Sequence, residues 1–566
     1  MTLRTEGALP TDSTAAAEAI WLASYPPEIP RRIDPDTYPS LSALLIDACA
    51  RHGAHPAFEC LGVRVNYTEW ERLSRALAAF LLDEAKCTAG DRVAIMLPNL
   101  LAYPVAFLGA LRAGLTVVNV NPLYTPRELR EQLKDSGATV IVIMENFAHK
   151  LESVVGETPI RHVVVSRLGD FMPGLKRILF NFVNSYIRRA VPAWRFTHVT
   201  LLQDACRRSP SAAYRDAQPA ATSPALLQYT GGTTGIPKGA VLTHRNLVAN
   251  ALQCRALIAP YIEEERASVL TPLPLYHIFS LTANLLAFAL MGGLSVLIPD
   301  PRDIKGLIKT MRQARVTTMT GVNTLFNALI NNPEFAKLDF SKLSFAVGGG
   351  AAVQSTVAAR WREITGSELV EGYGLTEASP VVCLNPVRRP KIGTVGLPVP
   401  STEIAIRDEQ GKALAVGETG EIWVRGPQVM QGYWRRPDET KLVLSADGWL
   451  DTGDIGAFDA EGYLKILDRK KDMVNVSGFK VFPNEVEDVI AQHPGVLEAA
   501  VIGVADPHTG QAVKLFVVKR DPALTEAELT KFARARLTSY KVPKVIVFVD
   551  SLPKSNIGKI IRKDLR

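Results

Sequence analysis

The strongest chemical signal in the sequence is one loop that combines glycines, threonine hydroxyls and a lysine. It reads Tyr229-Thr230-Gly231-Gly232-Thr233-Thr234-Gly235-Ile236-Pro237-Lys238-Gly239. Glycines let backbone amides approach phosphate oxygens, the hydroxyls add donors, and Lys238 adds a positive charge. A glycine-rich hairpin turn is the alternative, and it explains neither the three threonines nor the lysine. The loop therefore predicts phosphate binding.

This loop differs from a Walker A loop in its residues and its flanks. Pro237 rather than glycine precedes the lysine, and Gly239 rather than serine or threonine follows it. Apolar runs, Ala225 to Gln228 and Ala240 to Thr243, flank the loop and predict a strand on each side. A Walker A loop would open a helix there.

Further chemistry-bearing residues follow in four short segments. These are Gly372-Tyr373-Gly374-Leu375-Thr376-Glu377, Thr452-Gly453-Asp454, Asp468-Arg469-Lys470-Lys471-Asp472 and Pro553-Lys554-Ser555-Asn556-Ile557-Gly558-Lys559. Taken alone, Glu377, Asp454 or Lys559 would more often be a solvated surface charge. Their shared order across most of the chain favours one common site.

In this order the segments resemble the motifs of the adenylate-forming superfamily, which includes acyl-CoA synthetases, luciferases and peptide-synthetase adenylation domains. The resemblance runs from about Trp21 to Arg566. It implies a set of ATP-binding residues. These are Thr230, Gly231, Gly232, Thr233, Thr234, Gly235, Lys238, Gly350, Ala351, Tyr373, Thr376, Asp454, Arg469 and Lys559.

The resemblance also implies individual roles around the nucleoside. Tyr373 would stack on adenine, and Arg469 would contact the nucleotide. Asp454 would hold the ribose hydroxyls, which suits a carboxylate that accepts two hydrogen bonds. The stretch Gly348 to Ala352 would pass between adenine and the acyl group, where larger side chains would collide.

The catalytic residues that the resemblance implies are Lys559, Thr376 and Glu377. Thr376 would contact the α-phosphate, and Glu377 would bind magnesium together with Thr230. Lys559 would stabilise the negative charge that grows on the phosphoryl oxygens during adenylation.

A hinge and a second substrate site are implied near the C-terminus. Lys471 would be the pivot, a position that is often aspartate elsewhere but lysine in luciferase-like members. Ser477, Gly478 and Lys480 would line the pantetheine tunnel for coenzyme A. A second small departure is Gly232, which stands where many relatives have serine.

The subgroup that the sequence resembles is the bacterial long-chain fatty acid CoA ligases. Its characteristic segments are Tyr103 to Val105, Asn119 to Leu129 and Thr320 to Asn327. The implied acyl-binding residues are His277, Val322, Gly349 and Gly374. Tryptophan occupies the Gly374 position in acetate-specific relatives, so glycine leaves room for a long tail. A capped or packed core residue is the alternative for His277.

The resemblance implies a long-chain fatty acid:CoA ligase that uses ATP, Mg²⁺ and coenzyme A. The acid would form acyl-AMP with pyrophosphate release, and the acyl group would then pass to the thiol with AMP release. One alternative is an acyl-AMP ligase that delivers to a carrier protein. Another is a fatty-acid binding or transport protein without catalysis.

Composition supports a folded enzyme of this kind. The 566 residues are 47% hydrophobic and 21% charged, which excludes disorder over most of the chain. With 64 basic and 57 acidic residues, the formal charge is +7. That mild excess suits phosphate-bearing ligands or an anionic membrane surface and does not require nucleic acid.

The elements that must position these residues read as an α/β fold. β-Branched runs such as Arg92 to Met96 and Thr139 to Ile143 alternate with helical patterns, which predicts parallel sheets covered by helices. We expect a large N-terminal domain of two α/β layered subdomains plus a small β-rich subdomain, and a mobile α+β C-terminal domain. The expected bounds are 1–467, a hinge at 468–471, and 472–566.

Two apolar segments bear on membranes. Leu281 to Pro299 approaches a membrane span in length, but Met291-Gly292-Gly293 interrupts it, so we predict a buried helix to Ala289 and a strand from Leu294. Leu175 to Val191, drawn as a helix, has an apolar and a basic polar side. It suits either a membrane interface or an ordinary surface helix packed on the core.

Six separated cysteines and no clustered histidines argue against a disulfide framework or a zinc site. The N-terminus lacks an apolar signal region, so we expect a cytoplasmic protein with peripheral contact at the inner face of the cell membrane. A homodimer is a further expectation.

Overall fold

The computed structural model describes residues 20–212, 214–230, 237–555 and 558–566. Four sheets carry the fold within these ranges. Eight strands form the first sheet, mostly in parallel. In spatial order they are Gly432–Tyr433, Lys238–Thr243, Pro224–Thr230, Thr116–Asn119, Arg92–Met96, Val140–Met144, His162–Ser166 and Val199–Leu201.

The second sheet has nine strands and lies in the same N-terminal part of the chain. In spatial order they are Leu397–Pro398, Val381–Leu384, Glu368–Gly374, Phe345–Gly348, Thr318–Gly321, Ser268–Thr271, Leu294–Leu297, Pro56–Cys60 and Val63–Asn66. Six consecutive strands, from Glu368–Gly374 to Pro56–Cys60, are parallel, and antiparallel strands close both edges.

Helices cover both large sheets, as parallel sheets require. Their bounds are Leu41–His52, Tyr67–Asp83, Ala102–Arg112, Pro126–Ser136, Ala148–Glu152, Gly174–Phe182, Leu202–Arg207, His244–Ile258, Ile278–Ser280, Ala287–Leu290, Ile304–Ala314, Asn323–Ile330 and Ser355–Thr365. Two π-helical segments, Val183–Ile187 and Leu281–Leu286, extend this set.

Burial explains why the β-branched runs form sheets. All five residues of Val140–Met144 are buried. Val140 and Val142 face one hydrophobic cluster, whereas Ile141 and Ile143 face another on the opposite side of the sheet. Residues that alternate between two buried faces are the pattern of a strand covered on both sides.

The smaller units follow in the sequence. The third sheet is antiparallel, with strands Glu403–Arg407, Gly420–Arg425, Leu450–Phe458 and Leu464–Arg469. The helix Pro437–Val443 lies between the second and third of these strands in the chain.

The last sheet belongs to the C-terminal part of the chain. Its strands are Phe479–Val481, Val474–Val476, Gly510–Lys519, Val496–Asp506 and Val545–Phe548. Helices Pro483–Ala491 and Glu526–Arg534 belong to this C-terminal unit. The α/β layers, the β-rich unit and the α+β unit confirm the predicted fold class.

The apolar segment from Leu281 folds as predicted. Its helical part ends at Leu290, Gly292 adopts φ +68°, and the strand Leu294–Leu297 follows. A side chain at Gly292 would collide with His52, so this turn requires glycine. In the described ranges of the chain, no helix is long and apolar enough to cross a membrane. All six cysteines are buried and unpaired.

Candidate functional site

A cavity of about 2060 Å³ lies where the large sheets, the third sheet and the C-terminal unit meet. It brings together most of the residues that the sequence singled out. Those lining it are Thr230, Lys238, His277, Val322, Gly349, Gly350, Ala351, Tyr373, Gly374, Thr376, Glu377, Asp454, Arg469, Lys471 and Lys559. Gly231, Gly232, Thr233, Thr234 and Gly235 lie outside the described residues.

At one side of the cavity, two antiparallel strands present the ends of the glycine-rich loop. Thr230 ends one strand and pairs with Lys238, which begins the next. Lys238 forms an ion pair with Glu439 and lies 5.3 Å from the ring centroid of Tyr433. The flanking strands that the sequence predicted are therefore present, and the lysine has an acidic partner that the motif did not reveal.

Glu377 lies on a single 3₁₀ turn, Thr376–Ala378, close to the strand Lys238–Thr243. The Tyr433 hydroxyl donates to its Oε1 at 2.8 Å. Within the described ranges, no group of three or more histidine, cysteine or acidic side chains could hold a metal alone. Mg²⁺ in nucleotide sites takes one or two carboxylates with phosphates and water. Glu377 and the Thr230 hydroxyl fit that mode.

A polar part of the cavity is built around Asp454. The Tyr373 hydroxyl donates to Asp454 Oδ2 at 2.6 Å, and Arg469 Nε lies 3.5 Å from Asp454 Oδ1. Asp454 and Arg469 are directly paired across two strands of the third sheet, which fixes their separation. Burial and the Asp454 charge raise the pKa of Tyr373 well above its usual value, so this phenol stays protonated.

Lys559 reaches the cavity from a tight C-terminal turn. Ser555 N donates to Lys559 O at 2.7 Å, and Lys559 N donates to Ser555 Oγ at 3.2 Å. Gly558 adopts φ +83°, and its carbonyl accepts from Thr324 Oγ1 at 2.8 Å. A side chain at Gly558 would also press on Val322. Val322, from the N-terminal part of the chain, therefore packs against this turn.

Burial and the neighbouring guanidinium of Arg469 lower the pKa of Lys559 to about 8. The charged lysine therefore dominates below that pH and is lost above it. We expect kcat/KM for ATP to fall as the pH rises through about 8, because kcat/KM reports the free enzyme. In Lys559→Arg this decline should vanish, since arginine stays protonated.

A second cavity residue titrates in the same range. Burial raises the pKa of Glu371 to about 8, and Val353 N donates to its Oε1 at 3.2 Å. A pH decline that persisted in Lys559→Arg and vanished in Glu371→Gln would reassign the titration to Glu371.

His277 has the capping role that was one of the two weighed for it, and its acyl-binding role stays a prediction. Its Nδ1 accepts from Phe279 N at 3.3 Å and so caps the short helix Ile278–Ser280. It also lines the cavity. Burial and the nearby Lys559 lower the pKa of His277 to about 4, which leaves the ring neutral at pH 7.

Another part of the cavity is apolar. Its lining there comes from the helices His244–Ile258 and Ala287–Leu290 and from the second sheet, with Cys254, Leu257, Ile258, Phe288, Phe345, Val347, Val381 and Leu384. Gly374 lies against this part, since a Cβ on it would fall 3.2 Å from the Val381 Cα. The same Cβ would fall 2.2 Å from the Pro380 carbonyl oxygen, so the backbone approach also requires glycine.

The residues expected to bind coenzyme A are not brought to the cavity in this arrangement. Ser477 and Gly478, with φ of 51° and 87°, form the turn between strands Val474–Val476 and Phe479–Val481. Lys480 Nζ lies 3.4 Å from Glu409 Oε1, on the third-sheet side. Lys559 therefore occupies the site while this hairpin stays outside it.

Sequence reasoning missed the residue that anchors the Lys559 turn. Arg562 Nη2 lies 2.9 Å from Glu487 Oε2, and its Nη1 lies 3.2 Å from the buried Asp468 Oδ1. This arginine ties the C-terminal tail to the helix Pro483–Ala491 and to the start of the expected hinge. An isolated arginine gives no signal in a single sequence, and only its position three residues after Lys559 could have drawn attention to it.

Two family models match the chain in the corresponding order. Residues 45–434 match the AMP-binding enzyme family, and residues 485–559 match the AMP-binding enzyme C-terminal domain. Among curated proteins, the Long-chain-fatty-acid--CoA ligase of Yersinia pestis is 52% identical over 97% of this chain and 98% of its own. The Bacillus subtilis protein of the same name is 37% identical over 96% and 97%.

Solved structures agree with this assignment. The anthranilate CoA ligase AuaEII in complex with anthranoyl-AMP aligns with a TM-score of 0.84 at 25% identity, over 94% of this chain and 98% of that one. ATP-bound MatB from Rhodopseudomonas palustris aligns at 0.79 and 29% identity, over 92% and 98%. The chain belongs to the AMP-binding enzyme family, within the adenylate-forming superfamily that its motifs predict.

Proposed function

We propose that this enzyme is a long-chain fatty acid:CoA ligase. The observation that carries the proposal is one cavity in which Lys559, Asp454 and Glu377 share space with an apolar part lined by Leu257 and Phe345. A fatty acid needs both parts, because its carboxylate must meet ATP while its tail leaves water. Relatives named for this activity, at 47% to 52% identity over nearly the whole chain, support the same substrates.

In the first half-reaction, the fatty acid carboxylate attacks the α-phosphorus of ATP. The new bond joins the carboxylate oxygen to phosphorus, and the bond to pyrophosphate breaks. Negative charge grows on the phosphoryl oxygens, where the Lys559 ammonium and the Thr376 hydroxyl stabilise it. Tyr373 and Asp454 hold the nucleoside. Glu377 and Thr230 would hold Mg²⁺, which would supply charge neutralisation on the phosphates when bound.

In the second half-reaction, the coenzyme A thiolate attacks the acyl carbonyl and AMP leaves. We propose that residues 472–566 rotate as a unit about Lys471, within the hinge 468–471, relative to residues 1–467. Polar contacts that this rotation would break include Asn327 Nδ2 to Leu497 O at 3.0 Å and Ser355 Oγ to Asp488 Oδ1 at 3.2 Å. Rotation would remove Lys559 and bring Ser477, Gly478 and Lys480 to the acyl-adenylate.

Two alternative functions, an acyl-AMP ligase and a fatty-acid binding or transport protein, differ from this one in the steps they need. An acyl-AMP ligase would keep the first half-reaction and deliver the acyl group to a carrier-protein pantetheine. A binding or transport protein would need none of Glu377, Asp454, Arg469 and Lys559, so their convergence on one cavity favours catalysis.

We also propose a cytoplasmic enzyme with peripheral contact at the inner face of the cell membrane. A homodimer stays a prediction, which sedimentation velocity would check.

Steady-state pyrophosphate and AMP release should be measured with a series of acids from acetate to stearate, with and without coenzyme A. We expect release to peak with long acids and to need the thiol for sustained turnover. Adenylation that proceeds without any thioester product would support the carrier-protein alternative. Release from no acid in the series would support the binding protein.

A further inference from the structure

The segment between the last two strands of the first sheet packs with its polar side inward. It comprises the helix Gly174–Phe182 and the π-helical turn Val183–Ile187. Asn181 Oδ1 accepts from Gly169 N at 2.7 Å. Asn184 is 4% exposed and donates to Asn146 Oδ1 at 3.1 Å. The polar side of a surface helix normally faces solvent, whereas here the polar side anchors the helix to the protein.

The opposite, apolar side faces outward. Six of the 14 exposed large apolar side chains in the described residues fall within 175–187. They are Leu175 (85% exposed), Tyr186 (72%), Ile187 (66%), Ile178 (61%), Leu179 (57%) and Phe182 (51%). Single exposed apolar residues are normal, but a contiguous set on one helix face marks an interaction site. An ordinary surface helix would bury this face, so that interpretation of the segment is wrong.

The charged residues within this stretch of the chain have one sign. No aspartate or glutamate occurs from Phe171 to Gln203, whereas this stretch contains Lys176, Arg177, Arg188, Arg189 and Arg195. Lys176, Arg188, Arg189 and Arg195 are exposed, and the described structure pairs none of the four with a carboxylate within 4.0 Å. Cations beside an exposed apolar and aromatic face complement an anionic lipid surface.

We propose that this segment, residues 174–189, is the surface through which the enzyme binds an anionic phospholipid bilayer. The apolar side chains would enter the headgroup region while the cations face lipid phosphates. A second copy of the chain is a poorer occupant, because a two-fold contact would bring the cations of both copies together. This assignment rests on the proposed function in one respect: the membrane would supply the apolar acid that the enzyme activates.

The membrane-binding segment lies away from the part of the first sheet that carries the glycine-rich loop. It connects His162–Ser166 to Val199–Leu201 at one edge of the first sheet, whereas the glycine-rich loop joins strands near the other edge. Four strand spacings between His162–Ser166 and Pro224–Thr230 correspond to about 19 Å. The segment would hold the enzyme at the membrane, and its substitution should leave turnover of a dissolved acid unchanged.

The test measures co-sedimentation of the full chain with phosphatidylcholine vesicles, with and without phosphatidylglycerol. Wild type should bind the anionic vesicles, and rising salt should weaken binding. The double variant Leu175→Ser, Phe182→Ser should bind at least about 10-fold more weakly. Arg188→Gln, Arg189→Gln should lose the preference for anionic vesicles. The matched control is Ile392→Ser, Leu442→Ser, which replaces two apolar residues on other parts of the surface that are 62% and 77% exposed. This control should bind vesicles as wild type does.

Vesicle binding that is unchanged in the Leu175, Phe182 variant would overturn the proposal, as would equal binding to neutral and anionic vesicles. A change in oligomeric state in that variant, seen by sedimentation velocity, would assign the face to a protein contact instead. Decanoate turnover without vesicles should be the same in all variants. An enzyme that bound vesicles but activated no acid would contradict the proposed function and leave this surface supported.

Discussion

Replacing Lys559 by alanine should lower the rate of acyl-adenylate formation by at least about 100-fold, the loss typical for removal of one group that stabilises transition-state charge. The lysine lines the cavity from a turn that Thr324 and Ser555 fix by hydrogen bonds. Thioester formation from supplied palmitoyl-AMP should stay within about threefold of wild type, because the proposed rotation would remove Lys559 from the site before that step. The two rates are measured separately by rapid quench.

Lys531→Ala is the matched control for this variant. It removes the same charge from the exposed side of the helix Glu526–Arg534 in the same C-terminal unit. Both rates should match wild type there. Equal loss of both half-reactions in Lys559→Ala would contradict the assigned role and indicate a general loss of structure.

Replacing Gly374 by tryptophan should shift the enzyme toward short acids. Gly374 lies between the catalytic part of the cavity and Val381 in its apolar part, so an indole there would shorten the space for the tail. Excluding four methylenes from apolar surface costs about 3 kcal/mol. The ratio of kcat/KM for palmitate to that for butyrate should therefore fall at least about 100-fold.

Gly374→Ala separates this effect from backbone strain. Even a methyl group would press on the Pro380 carbonyl, so the alanine variant should lose activity with every acid. Its palmitate-to-butyrate ratio should stay near that of wild type. If alanine and tryptophan changed the ratio equally, Gly374 would serve the backbone approach rather than the length of the acyl site.

The sequence predicted elements best where a local pattern alone determines them. The strand Arg92–Met96 has the predicted ends, and the predicted run Thr139 to Ile143 forms the strand Val140–Met144, one residue further along. A local pattern of the same kind begins the helix Glu526–Arg534, where Thr525 and Glu528 form a capping box within one turn.

Contacts between distant segments could not be predicted from one sequence. Glu439, Tyr433 and Arg562 carry no motif, yet they pair with Lys238, Glu377 and the start of the expected hinge. The helix from Gly174 shows the same limit, because its two faces were predicted but not which of them faces the protein. Gly169, Asn146 and Glu145, outside the helix, decide that through their hydrogen bonds with Asn181 and Asn184.

The central claim is that the cavity makes an acyl-adenylate from a long-chain acid and passes it to coenzyme A. A single-turnover chase tests it most directly. Labelled palmitate and ATP are incubated with excess enzyme, and coenzyme A is then added. We expect enzyme-bound palmitoyl-AMP before the addition and its conversion to palmitoyl-CoA with equal AMP release afterwards. Palmitoyl-AMP that forms but does not react with coenzyme A, or that never forms, would contradict the account.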